Sequence, residues 1–462
     1  MNMQQTITPV DGSVYVERPY ADATKIGAVF DRAVKAQRAW ALTTLEERAA
    51  LCHRFCDALL RHTDEIALEI SWSMGRPISQ TPSEVRSCAE RARFMIDEAP
   101  AGLATYDPGF KPGFKRYIKR TPLGVVFVIA PWNYPLLTTV NSVIPAIMAG
   151  NAVVLKHAPQ TQLCAERFFQ AFEEAGLPAG VFQYLHLTNR DAEGLIGDTR
   201  VAHVNFTGSV ATGHLVQRAA AGRFISVGLE LGGKDPGYVR ADADVKFAAE
   251  TLLDGAFFNS GQCCCGIERI YAHESVYEEF LEHAVAIARA YRLGNPMQQD
   301  TNLGPVVSAR AAANIRAQMD EAIAQGARAL IAPEAFTADA PGTAYMAPQI
   351  LVDVDHSMRF MTEETFGPTV GIMKVKNDDD AVAMMNDSHY GLTAAIFTRD
   401  LEAAETIGDR CETGTVFLNR CDALDPALPW VGVKDTGRGY TLSRWGYETL
   451  TRPKSYHLRL AE

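Results

Sequence analysis

From residue 123 onward the chain alternates short apolar, β-branched runs with stretches at helical spacing: LGVVFVIA, 137–149, AVVLKH, 162–175, VFQYLH, 190–197, VAHVNFTG, 209–221 and RFISVGLELGG. Strands separated by roughly ten to fifteen helical residues pair in parallel through right-handed crossovers, and both faces of their sheet are covered. The rhythm predicts an α/β fold built on a doubly wound parallel sheet. After Gly233 it resumes, with a helix over 243–258, strands near 267–272 and 349–354, a helix over 306–325 and a βαβ stretch from 368 to 419. That is a second α/β domain. Upstream, 22–100 reads as helices, one of them opened by the capping box Thr44-Leu45-Glu46-Glu47. Asp107–Thr121 (DPGFKPGFKRYIKRT) reads as an extended hairpin projecting from the body, and the late SYHLRL as a strand returning to an edge. The stretch 333–343 is a surface loop.

Composition removes several classes of function. At about 100 to 200 residues per domain, 462 residues suggest about two to four domains. A 47% hydrophobic content excludes disorder. With 44 basic against 55 acidic residues, the net charge of −11 leaves no electrostatic footprint for nucleic acid. No run approaches the ~18 apolar residues of a membrane span, since the best one stops at Pro131. The opening MNMQQTITPVDGS lacks the basic and apolar regions of a secretory signal. Nine cysteines, an odd number, fit a reducing cytoplasm. Cys52 and Cys56 fall on the apolar stripe of a helix with Leu45, Ala49 and Leu59, and no cluster has zinc spacing, so no metal is expected.

Four segments carry candidate chemistry. In Asn259-Ser260-Gly261-Gln262-Cys263-Cys264-Cys265, adjacent side chains diverge, so the three thiols cannot share a metal comfortably. One reactive thiol with two packing neighbours is the simplest functional reading, and three buried packing cysteines the bland one. In Leu229-Glu230-Leu231-Gly232-Gly233-Lys234, an acid among apolar residues at a strand end suits a general base of raised pKa, or a helix cap. Pro131-Trp132-Asn133-Tyr134-Pro135-Leu136 follows a parallel strand directly, where such folds place ligands. There Asn133 is either an oxyanion donor or a turn former. Finally, Phe206-Thr207-Gly208-Ser209-Val210-Ala211-Thr212-Gly213 is a glycine-rich strand-to-helix junction. Without G-x-G-x-x-G, it reads equally as a pyrophosphate cradle or a plain helix start.

Taken in order and spacing, these segments resemble the aldehyde dehydrogenase superfamily across nearly the whole chain. PWNYPL, LKHAPQT, FTGSVATG, LELGGK, FFNSGQCCC, EETFGP and GVKDTGRG each match a family motif, and Glu230 and Cys264 stand 264 − 230 = 34 positions apart. The resemblance implies that Cys264 is the nucleophile, Glu230 the base that activates water against a thioester, and Asn133 with the Cys264 N–H the oxyanion hole. It further implies NAD or NADP as cofactor, with Trp132, Gly208 and Leu231 against it and Ser209 at the pyrophosphate. Lys156 would meet the adenosine ribose, and Glu364 and Phe366 the nicotinamide ribose and ring. The domains implied are 1–104 with 123–232 for the dinucleotide, 233–448 for catalysis, and 105–122 with 449–462 as an oligomerisation arm. The partners implied are a small-molecule aldehyde substrate and a second copy, as a homodimer or homotetramer.

Two departures bear on specificity. Many NAD-preferring relatives carry a glutamate three positions after the strand lysine; here Pro159 stands there, so NADP is expected to be tolerated. Where many relatives carry an aromatic or basic pair after the oxyanion Asn, this chain has Asn141-Ser142, so its likeness to the succinate-semialdehyde dehydrogenase branch is loose. The loop Asn419–Asp425 is expected to border the substrate tunnel, with Arg420 suited to a carboxylate and Asp422 and Asp425 to an amine. Two other functions compete. A coenzyme A-acylating dehydrogenase would have no use for Glu230, and acyl-CoA formation would reveal it. A non-catalytic member of the fold would leave Cys264 unlabelled by iodoacetamide.

Overall fold

The computed structural model describes residues 2–461. Met1 and Glu462, the outer limits of the expected domains, lie outside the described residues. The chain opens with a hairpin, β1 (Met3–Ile7) and β2 (Val14–Pro19), followed by helices α1 (Ala23–Trp40), α2 (Leu45–Arg61), α3 (Thr63–Met74) and α4 (Thr81–Gly102). Thr44 and Glu47 form the expected capping box at the start of α2, and Cys52 and Cys56 are fully buried on its inner face.

After β3 (Phe114–Pro122) come β4 (Val125–Ile129), α5 (Leu137–Met148), β5 (Ala152–Lys156), α6 (Gln162–Glu174), β6 (Phe182–Tyr184), α7 (Asn189–Ile196), β7 (Val201–Thr207), α8 (Val210–Ala220) and β8 (Ser226–Glu230). The second run comprises β9 (Asp235–Val239), α9 (Val245–Phe257), β10 (Ile267–His273), α10 (Tyr277–Ala290), α11 (Ala309–Ala324), β11 (Arg328–Ala329), β12 (Gln349–Val352), β13 (Thr369–Val375), β14 (Thr393–Phe397) and β15 (Thr415–Leu418). The chain closes with β16 (Gly437–Arg438) and β17 (Thr451–Arg459).

Two twisted sheets result, ordered β16-β8-β7-β4-β5-β6 and β11-β12-β13-β10-β9-β14-β15. Their neighbours run parallel except at the short edges β16 and β11. Burial explains the composition: β4 (VVFVI) and β5 (AVVLK) are buried at every position, as a strand covered on both faces requires. In the first sheet the chain moves from β4 outward to β5 and β6, then returns to β7 on the other side. The crevice beyond the carboxyl ends of β4 and β7 is therefore the topological switch point at which such sheets bind ligands.

The sequence expectations did not include the β1–β2 hairpin or α10, and two further departures have a clear physical reason. β9 (DPGYV) was not expected as a strand, because Asp, Pro and Gly are turn formers, yet it lies inside the second sheet. Its register slips against β10 between Ile267 and Arg269, opposite Pro236, which accommodates the missing N–H and leaves Glu268 outside the ladder. The projecting segment 107–121 is not a self-contained hairpin: β3 pairs antiparallel with β17 over its whole length, from Thr451↔Pro122 to Arg459↔Phe114. Tyr117 stacks on Tyr456 with ring centroids 4.5 Å apart. No helix among the described residues is long and apolar enough to cross a membrane.

Candidate active site

A cleft of about 210 Å³ opens at the switch point. Its walls include Trp132, Asn133, Gly208, Ser209, Glu230 and Leu231 from the first sheet's loops, and Cys264, Glu364 and Phe366 from the second half of the chain. Lys156 is not in this wall; it is buried at the end of β5, and burial lowers its pKa to about 8. Trp132 also borders a larger cavity of about 640 Å³, reached by Pro159 and Arg310.

The thiol is delivered by an irregular turn. After α9, Asn259, Ser260 and Gly261 all have positive φ (53°, 56° and 70°). A Cβ at Gly261 would stand 2.0 Å from the Gly367 carbonyl oxygen, so no side chain is tolerated there. Gln262 locks the turn, accepting from the Val307 N–H at 2.7 Å and donating to the Asn259 carbonyl at 3.1 Å. The backbone irregularity overturns the expectation that the three thiols diverge: their sulfurs all lie within 4.8 Å of one another. Cys263 and Cys265 are buried 3.5 Å apart and donate to Asp422 Oδ1 at 3.0 and 3.2 Å. Cys264 is the member of the trio that borders the cleft. Hydrogen bonding from Cys263, then Cys265, holds its pKa below the ordinary thiol value, against burial and the charge of Glu230.

Asn133 is anchored by its backbone. Its carbonyl accepts from the Arg76 guanidinium and, at 3.2 Å, from Asn259 Nδ2. Arg76 also bonds Asn259 Oδ1 at 2.9 Å and pairs with buried Glu84, which accepts from the Leu136 N–H at 2.9 Å. The Asn133 side-chain amide has no protein partner among the described residues and borders the cleft, and the Cys264 N–H is likewise unspent.

Glu230 ends β8 and caps no helix, which removes the bland alternative. Thr441 Oγ1 donates to its carboxylate at 2.6 Å and Thr207 Oγ1 at 3.3 Å. Burial raises its pKa in spite of these bonds. Ser209 is the exposed N-cap of α8, with Thr212 N–H donating to its Oγ at 3.4 Å. Glu364 accepts from the Gly233 N–H at 3.0 Å, and burial, then the neighbouring Glu268 charge, raises its pKa to about 8. Phe366 (φ 56°) meets Trp132 edge-on at 5.6 Å. Glu268, freed by the slip in β10, accepts from the Thr365 and Phe366 N–H groups at 2.8 and 2.9 Å and from Lys234 Nζ at 2.6 Å.

Arg76, Glu84, Glu268 and Thr441 were not singled out in the sequence, and Asn259 was named only as part of the thiol segment, because the groups they hold at the site lie far along the chain. In the late loop, Asp422 turns inward to the thiols while Arg420 and Asp425 are exposed. The fit to a dinucleotide is local and steric. A Cβ at Gly208 would come within 2.6 Å of the Phe206 ring, and one at Gly213 within 2.7 Å of Leu231, so both positions need glycine for close packing around the start of α8, where N–H groups and dipole favour phosphate.

A thiol, an acid and an unspent amide converge at the switch point of a parallel sheet, the place and the residue types of an α/β enzyme's active site. Comparison with known proteins gives the family: the chain belongs to the aldehyde dehydrogenase family, which it matches over residues 2–456. It is 34% identical to the succinate semialdehyde dehydrogenase [NAD(P)+] Sad of Escherichia coli (strain K12), covering 96% of this chain and 95% of that one. It is also 34% identical to the succinate-semialdehyde dehydrogenase [NADP(+)] of Deinococcus radiodurans, covering 97% and 93% respectively. Among solved structures, the succinic semialdehyde dehydrogenase of Streptococcus pyogenes in complex with NADP+ superposes with a TM-score of 0.94 at 29% identity, over 98% of this chain and 99% of that one. The protein is an oxidoreductase that oxidises an aldehyde with NAD(P)+.

Proposed function

We propose that oxidation proceeds through Cys264, with Glu230 and Asn133 as the other two catalytic residues. The observation that carries this reading is the meeting of all three at one cleft, the Asn133 amide unspent and the Cys264 thiol acidified. The Cys264 thiolate attacks the aldehyde carbonyl carbon. The oxygen that gains charge is received by the Asn133 side-chain amide and the Cys264 N–H, donors with no other protein acceptor among the described residues. When bound, the nicotinamide ring is the hydride acceptor that takes the thiohemiacetal to a thioester. Ionised Glu230 then removes a proton from water as it attacks the thioester, and the carboxylic acid leaves with Cys264 restored as thiolate. Trp132, Gly208, Ser209, Leu231, Glu364 and Phe366 would hold the cofactor in the cleft, with Lys156 at its adenosine end.

The same reading divides the chain into a dinucleotide domain (1–104 and 123–232), a catalytic domain (233–448) and an arm (105–122 and 449–462). The β3–β17 ribbon has free edges that a second subunit would cover, in a cytoplasmic homodimer or homotetramer. The names of the curated relatives support a semialdehyde substrate. Mass spectrometry of protein quenched during turnover tests the chemistry: an acyl adduct on Cys264 is expected, and Glu230→Gln should make it accumulate. An adduct on another residue, or none in Glu230→Gln, overturns it.

A further inference from the structure

One cation near the site is unaccounted for by the chemistry above. Arg91 lies on the face of α4 that Glu84 and Cys88 also occupy, the face turned to α5. Its Nη1 donates to the Leu137 carbonyl at 3.0 Å and to Asn141 Oδ1 at 3.1 Å. Its Nε and Nη2 have no protein acceptor among the described residues, and no carboxylate there comes within the 4.0 Å of an ion pair. The other charges on this face are already used: Glu84 is paired with Arg76, and Glu230 is held by Thr441 and Thr207. The charge of Glu230 nonetheless acts on Arg91 through space, and Asn141, its partner, stands on α5 eight positions after Asn133. Burial lowers its pKa, so the charge is held at a cost that a counter-anion would relieve.

Asn141 completes the arrangement. Because its Oδ1 is spent on Arg91, the amide is oriented with Nδ2 free, and the residue is 3% exposed. The two side chains together offer only donors: the open edge of a planar guanidinium and one amide N–H pair. One fixed positive charge with a planar fork matches a carboxylate rather than a phosphate dianion.

We propose that Arg91 and Asn141 form a carboxylate subsite for the substrate, which is a short aldehyde carrying a carboxylate at its other end. The proposal rests on Cys264 being the nucleophile, since the anion is anchored so that the carbonyl reaches that sulfur. It also assigns the role to α4, not to Arg420 of the late loop, which is exposed.

Two measurements on the full-length protein test it. The first is the ratio of kcat/KM for succinic semialdehyde to that for butanal. Arg91→Gln should lower this ratio about 30-fold, mainly through the KM of the semialdehyde, and Arg91→Lys should restore part of it. A ratio within about threefold of the native value, or an equal loss of kcat on both aldehydes, overturns the proposal. The second is calorimetric binding of succinate, which needs no turnover. Native protein should bind it and Arg91→Gln should not; equal binding by both overturns the proposal. Full turnover by a Cys264→Ala variant, with succinate binding still dependent on Arg91, would support the subsite and sink the Cys264 chemistry instead.

Discussion

The two walls of the cleft are built differently. From the first sheet, Asn133, Ser209 and Glu230 stand at or just beyond the carboxyl ends of β4, β7 and β8, so parallel topology brings them together, and Arg76 adds a bond only to the Asn133 carbonyl. From the second half of the chain, Cys264 follows a turn of positive φ and Phe366 itself has positive φ, both segments fixed by buried charges: Arg76 with Glu84 behind the thiol turn, Lys234 with Glu268 behind the 364–366 segment. Topology places one wall and electrostatics holds the other. Removing one charge from a buried pair leaves the other uncompensated, whereas a strand end keeps its position when a side-chain bond is lost. The second wall should therefore be the brittle one.

The sharpest break falls on that wall. Cys264→Ala should lower turnover by at least about 10⁴-fold while Cys263→Ala stays within about tenfold, since one sulfur reacts and its neighbour only tunes its acidity. Steady-state rates decide this, and equal losses would mean that the trio acts as a unit. Iodoacetamide should also alkylate Cys264 at a pH below the ordinary thiol range.

Next is stability. Arg76→Met should cost about 3–5 kcal/mol in denaturant unfolding, because Glu84 is left charged and buried. The double variant Arg76→Met with Glu84→Leu should cost less than the sum of the two singles. Simple additivity would show that the pair does not hold the thiol turn.

On the topological wall the counterpart is milder. Thr441→Val removes the 2.6 Å bond that favours ionised Glu230. The Glu230 pKa, already raised, should rise further. The base form then needs a higher pH, so activity near pH 7 falls by about threefold to tenfold and recovers on the alkaline side. A pH profile that drops uniformly, without a shift, would assign Thr441 to the fold alone.

The same contrast governs what was legible in the sequence. The strand-end segments around Asn133, Gly208 and Glu230 are contiguous, as is the turn before Cys264, so each can be read as a unit. The parts that fix them are not contiguous: Arg76 meets Asn259 across 183 positions, and Glu268 meets Thr365 across 97. Their residue types are ordinary until the fold joins them. The convergence of the thiols was misjudged because the rule for neighbouring side chains presumes regular backbone, and three positive φ values precede this run. β9 was invisible because its Pro236 is tolerated only through a slip in a different strand.

The smallest effect expected concerns Lys156, at the end of β5 in the first sheet but outside the cleft wall, and in no ion pair among the described residues. Its ammonium is desolvated at the end of β5, so its pKa is lowered to about 8: below that pH it is charged, above it neutral. In the reading proposed here it faces the adenosine ribose, beside Pro159, a residue that itself offers no carboxylate against a 2′-phosphate. A charged lysine then favours NADP over NAD, and the advantage should fade as the pH rises through about 8. A roughly threefold to tenfold fall in the NADP-to-NAD affinity ratio between pH 7 and 9 is expected, measured by calorimetry with each cofactor. Lys156→Met should flatten that dependence without removing NAD binding. If the native ratio held constant across the range, the adenosine end would have to be read by another cation, and Arg310, which borders the adjoining cavity with Pro159, would be the next side chain to replace.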